Sequence, residues 1–258
     1  MKPKQILNVI ALLAVLVVNW LATSLPINGM NPGQISDTVP SLFTPAGYVF
    51  SIWGLIYLGL LAYVIYQALP GQRDSAFAER IGYWFAASSL FNVSWIFAWH
   101  YLLFPLSLLI MLGLLGSLLV LYVRLGVGRG EVPLRDRLLV HAPFSIYLGW
   151  ISVATIANTS VVLLELGWNR MGIAPEIWTI AVMLVAAGLG IAMILNRKEI
   201  AYPLVIVWAL TGIAVKRVDI PAIAITAWVA VLAILGTLGW SKLRAALQSG
   251  RQSDRARV

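Results

Sequence analysis

Long stretches without a charged residue dominate this chain and constrain what it can fold into. A membrane-spanning helix needs roughly 20 apolar residues, and about 17 can suffice. Seven charge-free windows reach or approach that length: 5–36, 38–72, 81–123, 138–164, 177–196, 200–215 and 220–241. Hydrophobic residues make up 60% of the chain and charged residues only 11%, whereas soluble domains average about 25% charged residues. The pattern therefore predicts a polytopic membrane protein.

The window 81–123 is long enough for two spans and contains Pro105, a residue that can separate two helices. We therefore predict an all-α polytopic membrane helix bundle with about eight transmembrane helices. The predicted spans are about 6–25, 45–69, 81–103, 105–123, 138–163, 176–195, 200–215 and 220–240. The seventh is short, although Lys216 could extend it by reaching toward the membrane surface.

The basic residues orient this bundle. If the N-terminus is cytoplasmic, 15 of the 18 Lys and Arg residues fall on cytoplasmic segments, and only Arg170, Lys216 and Arg217 fall outside. Such an asymmetry is what the positive-inside rule predicts, so both termini are expected in the cytoplasm. The basic tail at 242–258 is then an orientation signal that contacts anionic lipid headgroups, and no nucleic-acid partner is expected. The expected location is a bacterial cytoplasmic (inner) membrane.

The residues that usually carry chemistry are scarce at membrane depth. The chain has no cysteine, and no charged residue lies centrally in a predicted span. This counts against a proton-coupled transporter and against acid–base or metal-dependent catalysis. His100 and His141 lie near opposite membrane faces, separated by most of a hydrocarbon core about 30 Å thick, and cannot share a metal ion. We predict no catalytic residue and no metal site, and we expect no cofactor to be required.

The longest outer connection, residues 26–44, reads PINGMNPGQISDTVPSLFT. Three prolines and two glycines without helical periodicity indicate turns rather than a helix. We expect this outer loop to fold over the outer ends of the helices.

Polar and aromatic residues mark one face of the fifth predicted helix. Trp150, Ala154 and Asn158 are spaced at i, i+4 and i+8, which places them on a common helical face. The face combines a large ring with one N–H donor, a small side chain and an amide, in otherwise apolar surroundings. This helix-five stripe resembles the wall of a binding pocket more than a surface that contacts lipid.

The third helix carries a comparable face, with Asn92, Trp95 and Trp99 at i, i+3 and i+7. Counted from the outer helix ends at 1.5 Å per residue, Trp53, Asn92, Trp95 and the helix-five stripe lie at overlapping depths. An apolar, aromatic cavity with a few polar groups is the usual form of a small-molecule site. Hydrogen bonding between helices is the alternative role for the asparagines.

Three stretches of the sequence resemble the TspO/MBR family, also called tryptophan-rich sensory proteins or translocator proteins. The first resembles the family pattern PPGWVFPPVW and matches it at Pro45, Gly47, Val49, Phe50 and Trp53, with Tyr48 in place of the first Trp. The second resembles NxxWSxLFF and matches it at Asn92, Trp95 and Phe97. The third resembles YLLWVSFATxLN and matches it at Tyr147, Trp150, Ser152, Ala154, Thr155 and Asn158.

The resemblance implies a TspO-like five-helix transmembrane domain at residues 1–170. Three additional transmembrane helices at 171–241, which depart from the family pattern, and the tail at 242–258 complete the predicted organisation. The family binds tetrapyrroles such as porphyrins and haem precursors, so a bound porphyrin- or haem-type tetrapyrrole is expected here. The ligand-binding residues implied or favoured are Pro45, Phe50, Trp53, Asn92, Trp95, Tyr147, Trp150, Ala154 and Asn158.

The favoured function is binding of such a hydrophobic small molecule in a sensory or regulatory role. A transporter or shuttle of the same ligands and a structural subunit of a larger membrane complex are the alternatives. Enzymatic activity stays open only as tryptophan-assisted photochemistry on a bound tetrapyrrole. Besides the ligand, the expected partners are membrane lipid and a second copy of the chain or a membrane-complex partner. The three additional helices could cover the surface through which the family forms dimers.

Overall fold

The computed structural model describes residues 1–25 and 27–255, and the side chains as far as residue 248. Within these residues it contains eight helices of 16 residues or more. They are α1 (Pro3–Ser24), α2 (Ile52–Ala68), α3 (Trp84–His100), α4 (Phe104–Leu125), α5 (Ala142–Glu165), α6 (Pro175–Arg197), α7 (Ala201–Lys216) and α8 (Pro221–Arg255). Each corresponds in order to one predicted span.

Six helical segments of the described chain are long and apolar enough to cross a membrane. The other two predicted spans, α3 with 17 residues and α7 with 16, are shorter. At 1.5 Å per residue, α7 is about 24 Å long, less than a hydrocarbon core of about 30 Å. The all-α polytopic membrane bundle is thus confirmed. The helix α2 alone also has 17 residues, and it reaches spanning length together with the turn before it, as Gly47–Ala68. The helix α8 continues to Arg255, so the described part of the predicted tail is helical.

Pro105 and Gly82 each determine the boundary of a helix. Pro105 lies in the first turn of α4, where its missing N–H costs no hydrogen bond, so the predicted break is confirmed. Gly82 has a φ of 56° and ends a short helix, Ala76–Ile81, just before α3. The positive φ suits glycine, which has no Cβ. The third span therefore begins at Trp84 and not near 81.

Charged side chains form contacts at both ends of the bundle. At one end Lys2 contacts Asp74 at 2.8 Å, and the Arg124 guanidinium donates to the Arg80 carbonyl at 2.7 Å. At the other end the Arg217 guanidinium donates to the Ser41 carbonyl at 2.8 Å. We call these the basic end and the loop end. The segments expected on one membrane face thus lie together, and the assignment of the basic end to the cytoplasm stays a prediction.

The outer surface of the protein is rich in large apolar side chains, unlike that of a soluble protein. Ile10, Leu58 and Leu109 are more than half exposed, while Asn92 and Gln67 are almost fully buried. Apolar side chains can face lipid without cost, but an amide in hydrocarbon needs a hydrogen-bond partner. The apolar outer surface therefore agrees with insertion in a bilayer, and the buried amides identify the helix faces that pair inside.

The helix α5 lies at the centre of the bundle and packs against α2, α4 and α7. Its Gly149 permits a close approach to α7, because a Cβ there would lie 3.1 Å from the Tyr202 carbonyl oxygen. A Cβ at Gly212 of α7 would overlap the Val49 side chain, which precedes α2. The later helices are therefore closely packed against the part of the chain that resembles the family.

The outer loop does contain a helix, so its prediction as turns alone was wrong. Pro32–Thr38 is helical, and the Asn31 side chain accepts a hydrogen bond from the Gln34 N–H at 2.9 Å. The Gln34 side chain accepts the Asn31 N–H in return, which forms a capping box. The loop covers the end of α3 as expected, because the Trp99 indole donates to the Pro32 carbonyl at 3.2 Å.

Candidate functional site

Five aromatic side chains from α2, α5 and the turn before α2 form one cluster. Trp53 and Tyr57 stack at a centroid distance of 5.5 Å, and Trp53 meets Tyr147 and Trp150 edge to face at 5.9 and 6.1 Å. Phe50 contacts Trp150 edge to face at 5.8 Å. We call these residues the aromatic cluster. It joins four of the predicted site residues and adds Tyr57.

Helical spacing explains why these rings meet. Trp53 and Tyr57 are four residues apart on α2, and Tyr147 and Trp150 are three apart on α5, so each pair lies on one helix face. Phe50 lies in the 3-10 turn Gly47–Ser51, which leads directly into α2. Aromatic pairs with centroids 4.5–7 Å apart are each worth about 0.5–1.5 kcal/mol beyond the area that they bury.

The Trp150 indole N–H is buried in this cluster without a hydrogen-bond partner among the described residues. The side chain is only 3% exposed. A buried donor without an acceptor costs about 1–3 kcal/mol, so native structures contain few of them and each calls for an explanation. An acceptor brought by a ligand would satisfy this N–H.

Asn92 reaches the aromatic cluster through Tyr147. Its amide donates to the Tyr147 hydroxyl at 3.0 Å, and its carbonyl oxygen accepts from the Asn19 amide at 2.8 Å. Asn19 also donates to the Val15 carbonyl one turn earlier. This amide chain links α1, α3 and α5 at membrane depth. These hydrogen bonds are the ones expected if Asn92 pairs helices, which was the alternative to a role in ligand binding.

Asn158 and Trp95 belong to a second polar group. The Trp95 indole donates to the Asn158 carbonyl oxygen at 3.1 Å, and the Asn158 amide donates to the Ser107 hydroxyl at 3.0 Å. Trp95 also stacks on Trp99 at 5.3 Å. The group ties α5 to α3 and α4 near the loop end.

The helix-five stripe therefore divides between two neighbourhoods. Trp150 contacts Trp53 of α2, whereas Asn158 bonds to α3 and α4, and Ala154 between them is partly buried against the core. Pro45 lies apart from both groups. It is packed against α7, and its carbonyl accepts from the Lys216 ammonium at 3.3 Å.

Two cavities adjoin these groups. The first, of about 280 Å³, lies beside the stripe between the outer loop, α5 and α6, where Thr155, Ile156 and Trp178 contribute to its lining. The second, of about 780 Å³, lies on the opposite side between α2, α5, α7 and α8 and extends to the basic end. Its lining includes Ile52 and Ile146, the chain neighbours of Trp53 and Tyr147.

Sequence reasoning missed several residues that the structure brings into these groups. Tyr57 follows Trp53 by four residues, a spacing that should have added it to the site. Ser107 sits in the first turn of α4, and only the packing of α4 on α5 pairs it with Asn158. Asn8 and Gln67 join α1 to α2 through a 3.0 Å amide hydrogen bond near the basic end. Their amide side chains, within otherwise apolar helices, were the sequence feature that could have identified them.

The groups of the aromatic cluster are suited to binding a ligand. Among the described residues no group of three His, Cys, Asp or Glu side chains could hold a metal ion. The aromatic cluster supplies ring faces, one unpaired N–H and the Tyr147 hydroxyl. Trp53 and Trp150 are 83° apart in ring plane, so a planar ligand could lie flat on one of them while meeting the edge of the other. These groups fit a planar hydrophobic molecule with at least one acceptor atom.

A comparison with protein families finds that the family described as TSPO-like protein matches residues 5–240. The match runs from α1 into α8 and covers more than half of the chain. No curated protein and no solved structure matches the chain.

Proposed function

The chain belongs to the TSPO-like protein family, and from that membership we propose that it binds a planar hydrophobic molecule of the tetrapyrrole class in a sensory role. The observation that carries the proposal is the unpartnered Trp150 indole N–H within the aromatic cluster. A porphyrin carries carboxylate oxygens that can accept this hydrogen bond, and its flat ring matches the tryptophan faces. The resident membrane is proposed to be a bacterial inner membrane.

The cluster must open to admit such a ligand. Trp53 is only partly buried, and it is held by stacking on Tyr57 and by edge contacts with Tyr147 and Trp150. Rotation of the Trp53 ring would exchange these contacts for contacts with the ligand while Trp150 stays in place. Amide hydrogen bonds already tie α2 to α1 and α5 to α3, so we expect the change to be confined to side chains.

A sensory role follows if ligand binding alters the surface of the protein. Movement of Trp53 changes the environment of Tyr147, whose hydroxyl is bonded to Asn92 and through it to Asn19 of α1. Occupancy of the cluster would therefore be transmitted to α1. Transport or shuttling of the same ligand is the competing function, and ligand flux into proteoliposomes distinguishes it from binding alone.

The direct test is titration of the purified protein with protoporphyrin, followed by the absorbance of the porphyrin. The chain has 11 tryptophans, so the signal of the ligand is more specific than intrinsic fluorescence. We expect Trp53→Ala and Trp150→Ala to weaken binding at least tenfold, since each removes a ring face. Trp20→Ala, at a 60% exposed position of α1, is the matched control and should leave binding unchanged. Equal affinity in all four proteins would exclude the aromatic cluster as the site.

A further inference from the structure

The larger cavity, of about 780 Å³, combines a charged mouth with an apolar interior. We call it the basic-end cavity. The charged residues of its mouth are Arg137, Arg197, Lys198, Glu199 and Lys242, and the buried His141 lies beside them. Its apolar walls come from α2, α5 and α7 and include Leu55, Ile146, Leu204 and Trp208. None of the aromatic cluster lines it, so it is a separate site.

The mouth carries an excess of positive charge. The one carboxylate, Glu199, is buried and accepts the N–H groups of Ile200 and Ala201, both at 3.0 Å. Its second oxygen accepts the Tyr122 hydroxyl at 3.3 Å. The carboxylate is therefore occupied in capping the start of α7.

Most of the cations at the mouth are free to face a ligand. Arg197 lies over the Tyr122 ring and donates to the Val127 carbonyl at 3.3 Å. Arg137, Lys198 and Lys242 are exposed, and among the described side chains none of them forms an ion pair. Three unpaired cations around one opening favour an anionic group.

The loop at the mouth is held in a defined position. Gly128 has a φ of 73°, and a Cβ there would overlap the backbone of Arg197. Only glycine combines this φ with such a close approach at little cost. The loop at 127–132 is thereby packed against the end of α6, and its Val127, Gly128, Gly130 and Val132 line the opening, whereas Arg129 and Glu131 do not.

The interior suits a hydrocarbon chain. Ala201 and Trp208 of α7 both line the cavity, so it extends about 10 Å along that helix at 1.5 Å per residue. Leu55 is 53% exposed and Leu204 is 42% exposed, which leaves the cavity open to the apolar part of the surrounding membrane. A small soluble anion would use the mouth and leave this apolar length without a contact.

We infer that the basic-end cavity binds an anionic phospholipid, with its phosphate at Arg137, Lys198 and Lys242 and an acyl chain along α7. A basic pocket between transmembrane helices is a recognised form of anionic-headgroup site. The apolar interior adds affinity with each methylene group that it covers. The site selects for a negative headgroup, because a zwitterionic lipid brings a second cation to a mouth that is already positive.

The test is lipid retention measured by native mass spectrometry on the full-length protein. The protein is exchanged into phosphatidylcholine and titrated with long-chain phosphatidylglycerol, with short-chain phosphatidylglycerol and with inorganic phosphate. We expect saturable binding of the long-chain lipid at least tenfold tighter than that of phosphatidylcholine. Weaker binding of the short-chain lipid is expected, and phosphate alone should not compete at similar concentration. Equal retention of phosphatidylcholine and phosphatidylglycerol would overturn the proposal, and effective competition by phosphate would exclude the lipid chain.

Charge variants locate the site. The double variant Lys198→Gln with Lys242→Gln should weaken phosphatidylglycerol binding about tenfold or more. The control double variant, Arg129→Gln with Arg244→Gln, removes the same charge from exposed residues of the same end that do not line the cavity. It should bind as the original protein does. Equal loss in both variants would assign the effect to general surface charge and contradict the proposed site. Lys242→Gln alone provides the same comparison against Arg244→Gln if the double variant does not fold.

Discussion

The Asn92 amide donates a hydrogen bond to the Tyr147 hydroxyl at 3.0 Å, and both side chains are at most 2% exposed. This bond connects α3 to α5 where both helices are surrounded by apolar residues. Because Tyr147 also contacts Trp53 edge to face, the amide chain and the aromatic cluster share one residue. Stability and ligand binding are therefore expected to be coupled at Tyr147.

Tyr147→Phe should destabilise the protein by roughly 0.6–1.7 kcal/mol, from the average to the maximum found for hydrogen bonds between membrane helices. The ring and its contact with Trp53 are kept, while the acceptor of the Asn92 amide is lost. A double-mutant cycle with Asn92→Leu, followed by unfolding in SDS, isolates the pair. Additive effects of the two substitutions would show that this hydrogen bond contributes nothing measurable.

Much of this arrangement could be predicted from the sequence, because charge-free length and the positions of the charges are one-dimensional properties. These properties predicted eight helices in the order that the structure shows. They also predicted which charged segments lie together at each end of the bundle. Depth counting also predicted overlapping depths for Trp53, Asn92 and Trp150. Depth does not determine which way a side chain points around its helix. The division of the helix-five stripe between Trp53 on one side and Ser107 on the other therefore required the packed structure.

The outer-loop helix was missed for a different reason. Pro32–Thr38 is too short for an apolar periodicity to be visible, and its start is set by the capping box of Asn31 and Gln34. That pattern of Asn followed three residues later by Gln was present in the sequence, directly before Pro32. In this segment the capping residues predict the local structure better than the proline and glycine content does.

Gly149→Ala tests whether α7 is tightly packed on α5. The added Cβ would lie 3.1 Å from the Tyr202 carbonyl oxygen, closer than ordinary van der Waals contact. Overpacking of this kind costs about 1–3 kcal/mol. Gly188→Ala is the control, because a Cβ at that position of α6 meets nothing within 4 Å. We expect unfolding in SDS to be easier for the first variant only, and equal stability of both would contradict close packing of these helices.

The contacts of Lys2 predict a small effect of acid on stability. Its side-chain hydrogen bonds, followed by its charge, lower the pKa of Asp74, and its hydrogen bond likewise lowers the pKa of Glu79. A lowered pKa in the folded protein means that the stabilisation is present above the ordinary carboxyl pKa, about 4. It is lost as the pH falls through the lowered value. The groups are exposed, so the effect should also weaken at high salt.

Thermal melts at pH 7 and pH 3 provide the measurement for this contact. Lys2→Gln should reduce the loss of thermal stability between the two pH values, since it removes the largest cause of the lowered pKa of both carboxyls. Arg129→Gln removes an exposed cation that has no ion pair among the described side chains and does not line the basic-end cavity, and it should leave the loss unchanged. An identical acid response of both variants would show that the contacts of Lys2 do not contribute.

Trp150→Phe should weaken ligand binding without lowering the stability of the free protein. The substitution keeps an aromatic ring against Phe50 and Trp53 but removes the buried N–H that has no partner. Removal of that unsatisfied donor offsets the loss of ring area, so the free protein should be as stable as the original or more stable by up to about 1 kcal/mol. Porphyrin binding should weaken roughly two- to tenfold, which corresponds to one hydrogen bond of about 0.5–1.5 kcal/mol.

Trp240→Phe is the matched control for this response, because Trp240 is 63% exposed on α8. It should alter neither porphyrin affinity nor the stability of the free protein beyond about 0.5 kcal/mol. A residue needed only for packing would lose stability and affinity together when its ring becomes smaller. A residue whose N–H is reserved for a ligand loses affinity alone. Melting curves of the free protein and porphyrin titrations on the same preparations separate the two cases, and a parallel loss in Trp150→Phe would assign Trp150 to packing.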